Sequence, residues 1–205
     1  MARTPAPGLV PLQFMGASPV PATLTGAVAS TAVIFANSGE GSGFLISHDG
    51  YMLTNHHVVG GAQLVKVRWS DGTEVLGEVL RSDKPRDVAL IKTDPKGRKP
   101  LALRGTPVAI GEDVYAIGAP TGRKFQNTVT KGIVSAMRLY KGHNFIQSDV
   151  GVTHGNSGGP IIDSKGHVVG LTDLGFDEAP MVNLFIPIAE AQSFLGLQQK
   201  PFDQK

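Results

Sequence analysis

Apolar residues along the chain fall into short runs separated by turns rich in Gly, Asp, Asn and Ser. Ala32-Val33-Ile34-Phe35 is such a run, and Asn37-Ser38-Gly39-Glu40-Gly41 turns the chain before Gly43-Phe44-Leu45-Ile46. His48-Asp49-Gly50 turns it again into Tyr51-Met52-Leu53-Thr54. Leu64-Val65-Lys66-Val67-Arg68-Trp69 alternates with the period of two that marks a half-buried strand, and Ser70-Asp71-Gly72-Thr73 gives a hairpin signal. Glu74 to Leu80 returns, and Val88-Ala89-Leu90-Ile91-Lys92 supplies a further strand. Beyond a linker at Lys96–Pro100, strands are predicted at Asp113–Ile117, Thr128–Val134, Asn144–Gln147, Pro160–Ile162, His167–Leu171 and Val182–Ile186. Only Ala189–Leu197 carries a helical pattern, with Glu190 early and Gly196 near its end. Many short strands at this spacing make sandwiches or barrels, here in two similar halves meeting near residue 100.

The boundaries predicted are an extended arm over 1–22, one domain over 23–198 and a tail over 199–205. The domain divides into a first half of about 23–100, a second of about 101–188 and the helix at 189–197. The arm is rich in Pro and Ala, with Phe14 and Met15 as its only large anchors. Two anchors leave open a loose tail, packing on a neighbour, or packing on the arm's own domain.

Composition narrows the function. Hydrophobic residues are 41% and charged ones 18%, the balance of a globular chain. A formal net charge of +2, with no long basic stripe, argues against nucleic acid as a partner. The densest basic run, Lys96-Gly97-Arg98-Lys99, reads as a solvated loop. The absence of cysteine excludes disulfides, a thiol nucleophile and thiolate metal sites. Six histidines include no HExxH spacing, so no metal and no cofactor is expected. No run is long and apolar enough to span a membrane, and Pro5, Pro7, Pro11 and Pro19 interrupt any signal-like segment at the start. The expected compartment is therefore cytoplasmic, or periplasmic or cell-envelope where a targeting segment has been removed.

Acyl transfer needs a nucleophile, a base, an orienter for the base and donors for an oxyanion. Ser157 lies in Gly155-Asn156-Ser157-Gly158-Gly159-Pro160, whose glycines let the backbone turn sharply and approach a substrate carbonyl. The oxyanion hole falls on Gly155, Asn156 and Ser157, with the N–H groups of Gly155 and Ser157 as donors. His57, in Leu53-Thr54-Asn55-His56-His57-Val58-Val59, is the candidate base. Asp87, at the lip of Val88-Ala89-Leu90-Ile91, is the candidate orienter. Each residue alone has a bland reading as a turn residue. Their order, His, Asp, Ser, is the chymotrypsin-like one, and it is not the Ser, Asp, His order of α/β-hydrolases.

With these residues in hand, the chain resembles the HtrA/Deg family of trypsin-like serine proteases over nearly all of Ser30 to Leu197. The resemblance is carried by Gly41-Ser42-Gly43-Phe44-Leu45-Ile46, by His48-Asp49-Gly50-Tyr51-Met52-Leu53-Thr54-Asn55 and by Asp87-Val88-Ala89-Leu90-Ile91-Lys92. Thr130-Lys131-Gly132-Ile133-Val134-Ser135-Ala136, Phe145-Ile146-Gln147-Ser148-Asp149 and Phe185-Ile186-Pro187-Ile188 extend it. It implies an all-β, chymotrypsin-like fold of two six-stranded antiparallel β-barrels with a short C-terminal helix. It also implies a serine endopeptidase that cuts protein or peptide substrates in quality control or regulation. The alternative is a catalytically silent peptide-binding or scaffold member of the fold.

Three positions depart from the family pattern. Asn55-His56-His57 stands for Asn-Asn-His, which assigns catalysis to the second histidine. His154 stands for the Pro before the oxyanion glycine, and Gly118-Ala119-Pro120 for Gly-Asn-Pro. His154 is accordingly a candidate for pH sensitivity in the oxyanion hole. Asn156 stands where zymogen-type relatives carry an Asp, which argues against activation by clipping. The resemblance further implies a substrate pocket of Gly151, Val152, Leu174 and Gly175, free of charge at its floor and suited to aliphatic P1 side chains. No PDZ domain is expected after the helix, and a homo-oligomer, a trimer in relatives, is expected through the arm and Phe14.

Overall fold

Short alternating runs joined by glycine turns can bury their apolar faces only by curling sheets closed, and two closed sheets result. The computed structural model describes residues 4, 8–17, 22–37, 39–118, 128–153, 155–175 and 181–200 of the 205-residue chain. The first barrel contains β2 (Thr31–Ala36), β3 (Gly39–Leu45), β4 (Tyr51–Thr54), β5 (Leu64–Trp69), β6 (Glu74–Asp83) and β7 (Val88–Thr93). They close in the order β2-β3-β4-β7-β6-β5. The second contains β8 (Asp113–Gly118), β9 (Thr128–Tyr140), β10 (His143–Ser148), β11 (Pro160–Asp163), β12 (Val168–Gly175) and β13 (Asn183–Pro187), closed as β10-β13-β12-β11-β8-β9. Every pairing within a barrel is antiparallel, as the expected fold class requires.

Each barrel has its own filling. Ile34, Leu45, Met52, Val67, Trp69 and Ile91 pack the first, and Val114, Val134, Ile146, Ile161 and Phe185 pack the second. A third cluster joins the halves through Phe44, Leu53, Leu90, Ile117, Leu171 and Ile186. The basic run after β7 is paired: Lys96 meets Asp94 at 2.7 Å, while Arg98 meets Asp71 at 2.5 Å and stacks on Trp69 at 4.6 Å.

Several elements differ from the expectation. The C-terminal helix, α3, covers Ile188–Phe194 and not 189–197. Gly196, at φ +62°, breaks it, and Leu197–Lys200 forms a strand, β14. Two short helices, α1 (Leu24–Ala29) and α2 (His56–Val59), had no helical period to announce them. Among the described residues of the arm, 8–17 pack on the chain itself. The arm's strand β1 (Leu12–Met15) pairs in parallel with β14, and Phe14, 3% exposed, is buried in the cluster between the barrels. Phe14 is therefore committed within its own chain. Among the described residues no helix is long and apolar enough to cross a membrane.

Candidate active site

Strand register brings the base and its orienter together. β4 and β7 run antiparallel with Thr54 opposite Ala89, so the residues leaving β4 and those entering β7 lie at the same barrel end. His57, in α2 just after β4, points Nδ1 at Asp87 Oδ2, 2.6 Å away. Its backbone N–H donates to Asp87 Oδ1 at 2.8 Å. One carboxylate thus holds His57 by both its backbone and its ring, and with Nδ1 carrying the proton, Nε2 is left as the basic nitrogen. His56 turns elsewhere, with Nδ1 2.5 Å from Ser82 Oγ. The Asp87 bond raises the basicity of His57 above its ordinary value; burial opposes the shift, and the charge of Asp87 adds to it.

The loop before β11 carries Ser157 against this end of the first barrel. Ser157 O accepts from Ser42 N at 2.7 Å, and Ser42 Oγ donates to Gly155 O at 2.6 Å. On the other side, Gly158 N donates to Thr172 O and Thr172 N to Gly159 O, both at 2.9 Å. Gly158 has φ +82°, and a Cβ there would strike Ser42 O and Thr54 Oγ1 and lie 3.0 Å from Asn55 N. Only glycine permits that approach, and it sets Ser157 beside the segment that carries His57.

Gly155 has φ +95°, and Asn156 N donates to Thr153 O at 3.0 Å. This is the closing bond of a tight turn with its left-handed position on glycine. That turn engages the N–H of Asn156, which is buried, and not the N–H groups of Gly155 and Ser157, the expected oxyanion donors.

The pocket candidates lie on two segments. Gly151 is exposed, with its carbonyl accepting from Thr130 Oγ1 at 2.6 Å, and Val152 is half-buried. Leu174 and Gly175 pair with Leu184 and Asn183 in β13, and Asn183 Nδ2 donates to Val150 O at 2.9 Å, which ties the two segments together. His154, Ala119 and Pro120 lie outside the described residues.

Three further contributors carry no local signature as site residues. Asn55, fully buried, donates Nδ2 to Asp87 O at 2.9 Å. Arg86, 1% exposed, pairs through Nε with Glu190 at 2.8 Å, donates to Asn144 O at 2.7 Å and stacks on Phe145. Asp173 places a carboxylate oxygen so that it, a ring nitrogen of His57 and a carboxylate oxygen of Asp87 lie within 4.8 Å of one another. Within this set His57 Nδ1 is turned onto Asp87 Oδ2 at 2.6 Å. A charged residue following the apolar Val168-Val169-Gly170-Leu171 was the available signal for Asp173.

The sequence profile of the trypsin-like peptidase domain matches residues 41–171. A protein of Ectopseudomonas mendocina named "Probable periplasmic serine endoprotease DegP-like" is 46% identical over 140 residues, 64% of this chain and 28% of the relative. HhoA of Synechocystis sp., a serine protease by name, is 37% identical over 167 residues, 76% of this chain and 42% of its own length. The chain thus spans less than half of the curated relatives it matches. Among solved structures, a serine endoprotease from Yersinia pestis superposes with a TM-score of 0.73 at 31% identity, covering 84% of this chain and 65% of that one. The HtrA-type protease AlgW, solved with a decapeptide, gives 0.72 at 27% identity, covering 86% and 69%. Closed twin barrels, the His57–Asp87 pair beside the Ser157 loop and a profile matched over most of the chain agree, and the chain belongs to the trypsin-like peptidase family, as a protease domain of HtrA/Deg type.

Proposed function

We propose that this chain is a serine endopeptidase in which His57, Asp87 and Ser157 form the triad. The observation that carries the reading is the two-point grip of Asp87 on His57, at 2.6 and 2.8 Å, beside the docked Ser157 loop. In the proposed cycle His57 Nε2 takes the proton from Ser157 Oγ as Oγ attacks the scissile carbonyl. Asp87 stabilises the imidazolium that forms. The N–H groups of Gly155 and Ser157 meet the oxyanion, each donor being worth about 2.7–4 kcal/mol in the transition state. His57 then protonates the leaving amine, and water enters by the same route to release the acyl group.

The substrates proposed are protein chains with accessible segments, cut after aliphatic residues. The uncharged Gly151 and Val152 support this, as does the direction of Asp173, whose carboxyl faces Asp87. The relatives' names support a periplasmic place of action. We assign any homo-oligomer to surfaces other than Phe14.

The test compares wild type with Ser157→Ala on an unfolded protein substrate, with product mapping and a serine-directed phosphonate. Expected are cleavage and Ser157 labelling in wild type alone. A folded wild type that neither cuts nor labels would leave the scaffold reading standing.

A further inference from the structure

β12 does not run straight past the active site. Between Thr172 and Leu174 its register with β13 shifts, with Thr172 opposite Phe185 and Leu174 opposite Leu184, so Asp173 is the extra residue of a β-bulge. A bulge breaks the alternation of faces and re-aims the side chain that it carries. Here it turns a carboxyl toward the triad, within 4.8 Å of His57 and Asp87 donor atoms.

Two carboxylates this close disfavour each other's ionisation, most where no cation sits between them. Arg86 is engaged elsewhere: it pairs with Glu190 at 2.8 Å and acts on Asp173 through its field. Lys141, His143 and Tyr140, from the β9–β10 hairpin, line the same cleft of about 320 Å³ as Asp87, Asp173 and Arg86. One proton must then reside on one of the two acids. Asp87 already accepts two N–H bonds from His57, one on each carboxylate oxygen. The proton belongs on Asp173.

We propose that Asp173 is a positioning residue of the triad, a neutral acid that donates its O–H to the Asp87 carboxylate and makes the His57–Asp87 pair sensitive to alkaline pH. Burial, then the charge of Asp87 and the hydrogen bond to it, push the Asp173 carboxyl up to about 8, against opposing fields from Arg86 and His57. Below that pH the O–H gives the Asp87 carboxylate a further bond beside the two from His57. Above it, the proton leaves through the cleft and two carboxylates face each other, so the bond that aims Asp87 at Nδ1 loses its support. The inference rests on the proposed roles of His57 and Asp87 and adds a residue behind them.

The test has one arm that needs no activity. In the Ser157→Ala protein, the His57 imidazole nitrogens are followed by NMR from about pH 5 to about pH 10. Expected is a second inflection near pH 8 that vanishes in Asp173→Asn, which keeps a donor but cannot titrate. In the second arm, kcat for a peptide substrate is measured against pH. Wild type should show a falling alkaline limb near pH 8 that Asp173→Asn lacks. Asp173→Ala should lose about 10- to 100-fold in kcat at neutral pH, with KM changed by less than about twofold. Persistence of the inflection or of the limb in folded Asp173→Asn overturns the inference, whether or not the alanine variant folds. A wild type without peptidase activity would overturn the proposed function, while the NMR arm would still decide where the proton sits.

Discussion

The side-chain amide of Asn55 donates to the carbonyl of Asp87 at 2.9 Å, and it does so at a residue held with φ +62°. A left-handed conformation is uncommon for any residue but glycine, though Asp tolerates it better than most. The clamp keeps the Asp87 backbone where its two carboxylate oxygens meet His57. Asn55→Ala should lower kcat about tenfold and stability by about 1 kcal/mol, since it leaves a part-buried carbonyl without this bond. Steady-state kinetics and urea unfolding check both, and an unchanged kcat would show that His57 alone aligns Asp87.

Behind Asp87, Arg86 and Glu190 tie the lip of the first barrel to α3 of the second half. Removing one partner of a buried pair leaves an uncompensated charge, whereas replacing both by apolar groups of similar volume costs much less. Glu190→Ala should therefore destabilise by about 3–5 kcal/mol, and Arg86→Met with Glu190→Leu should recover most of that loss. A double variant no more stable than Glu190→Ala would assign the cost to packing on Phe145 instead.

The charge pattern also sets how stability follows pH. Asp173 is raised from 3.8 to about 8, so over that window the folded chain keeps a proton that the unfolded chain has lost. Stability then falls as pH rises from about 4 to about 8 and levels off above. His57 acts in the same direction: its raised basicity contributes stability fully present below about 6.5 and lost as pH climbs through the folded value. Asp173→Asn removes the first slope and keeps the second. Thermal melts should show the variant gaining on wild type between about pH 5 and about pH 8, by roughly 5 °C or more. Parallel curves would count against a buried proton on Asp173.

The features legible in the sequence are those written locally. Ser157 stands out through glycines that a close approach requires, and alternation in Leu64–Trp69 marks a barrel wall. What stays hidden depends on contacts between distant segments. The inward turn of Asp173 depends on a bulge, and a bulge is a mismatch between two strands, invisible in either alone. Asn55 looks like part of a histidine motif, although its task is to hold a carbonyl 32 residues away. The positive φ of Asp87 has no glycine to signal it.

The arm gives the last expected outcome. Leu12–Met15 pairs with Leu197–Lys200, Leu12 N donates to Gly196 O at 2.8 Å, and Arg81 Nη1 caps Leu195 O at 2.8 Å. Phe14 inserts beside Phe194, Leu195 and Leu197 in the cluster between the barrels. Truncating a buried Phe to Ala costs about 3–5 kcal/mol in a core that cannot relax. A terminal strand can peel away without unfolding the barrels, so the loss should be felt first as local opening. Phe14→Ala should speed amide exchange across Leu197–Lys200 by about 10- to 100-fold while β4 and β7 exchange as before. Light scattering should give the same mass for both proteins, because Phe14 is buried within its own chain. A fall in mass on substitution would instead place the arm between copies.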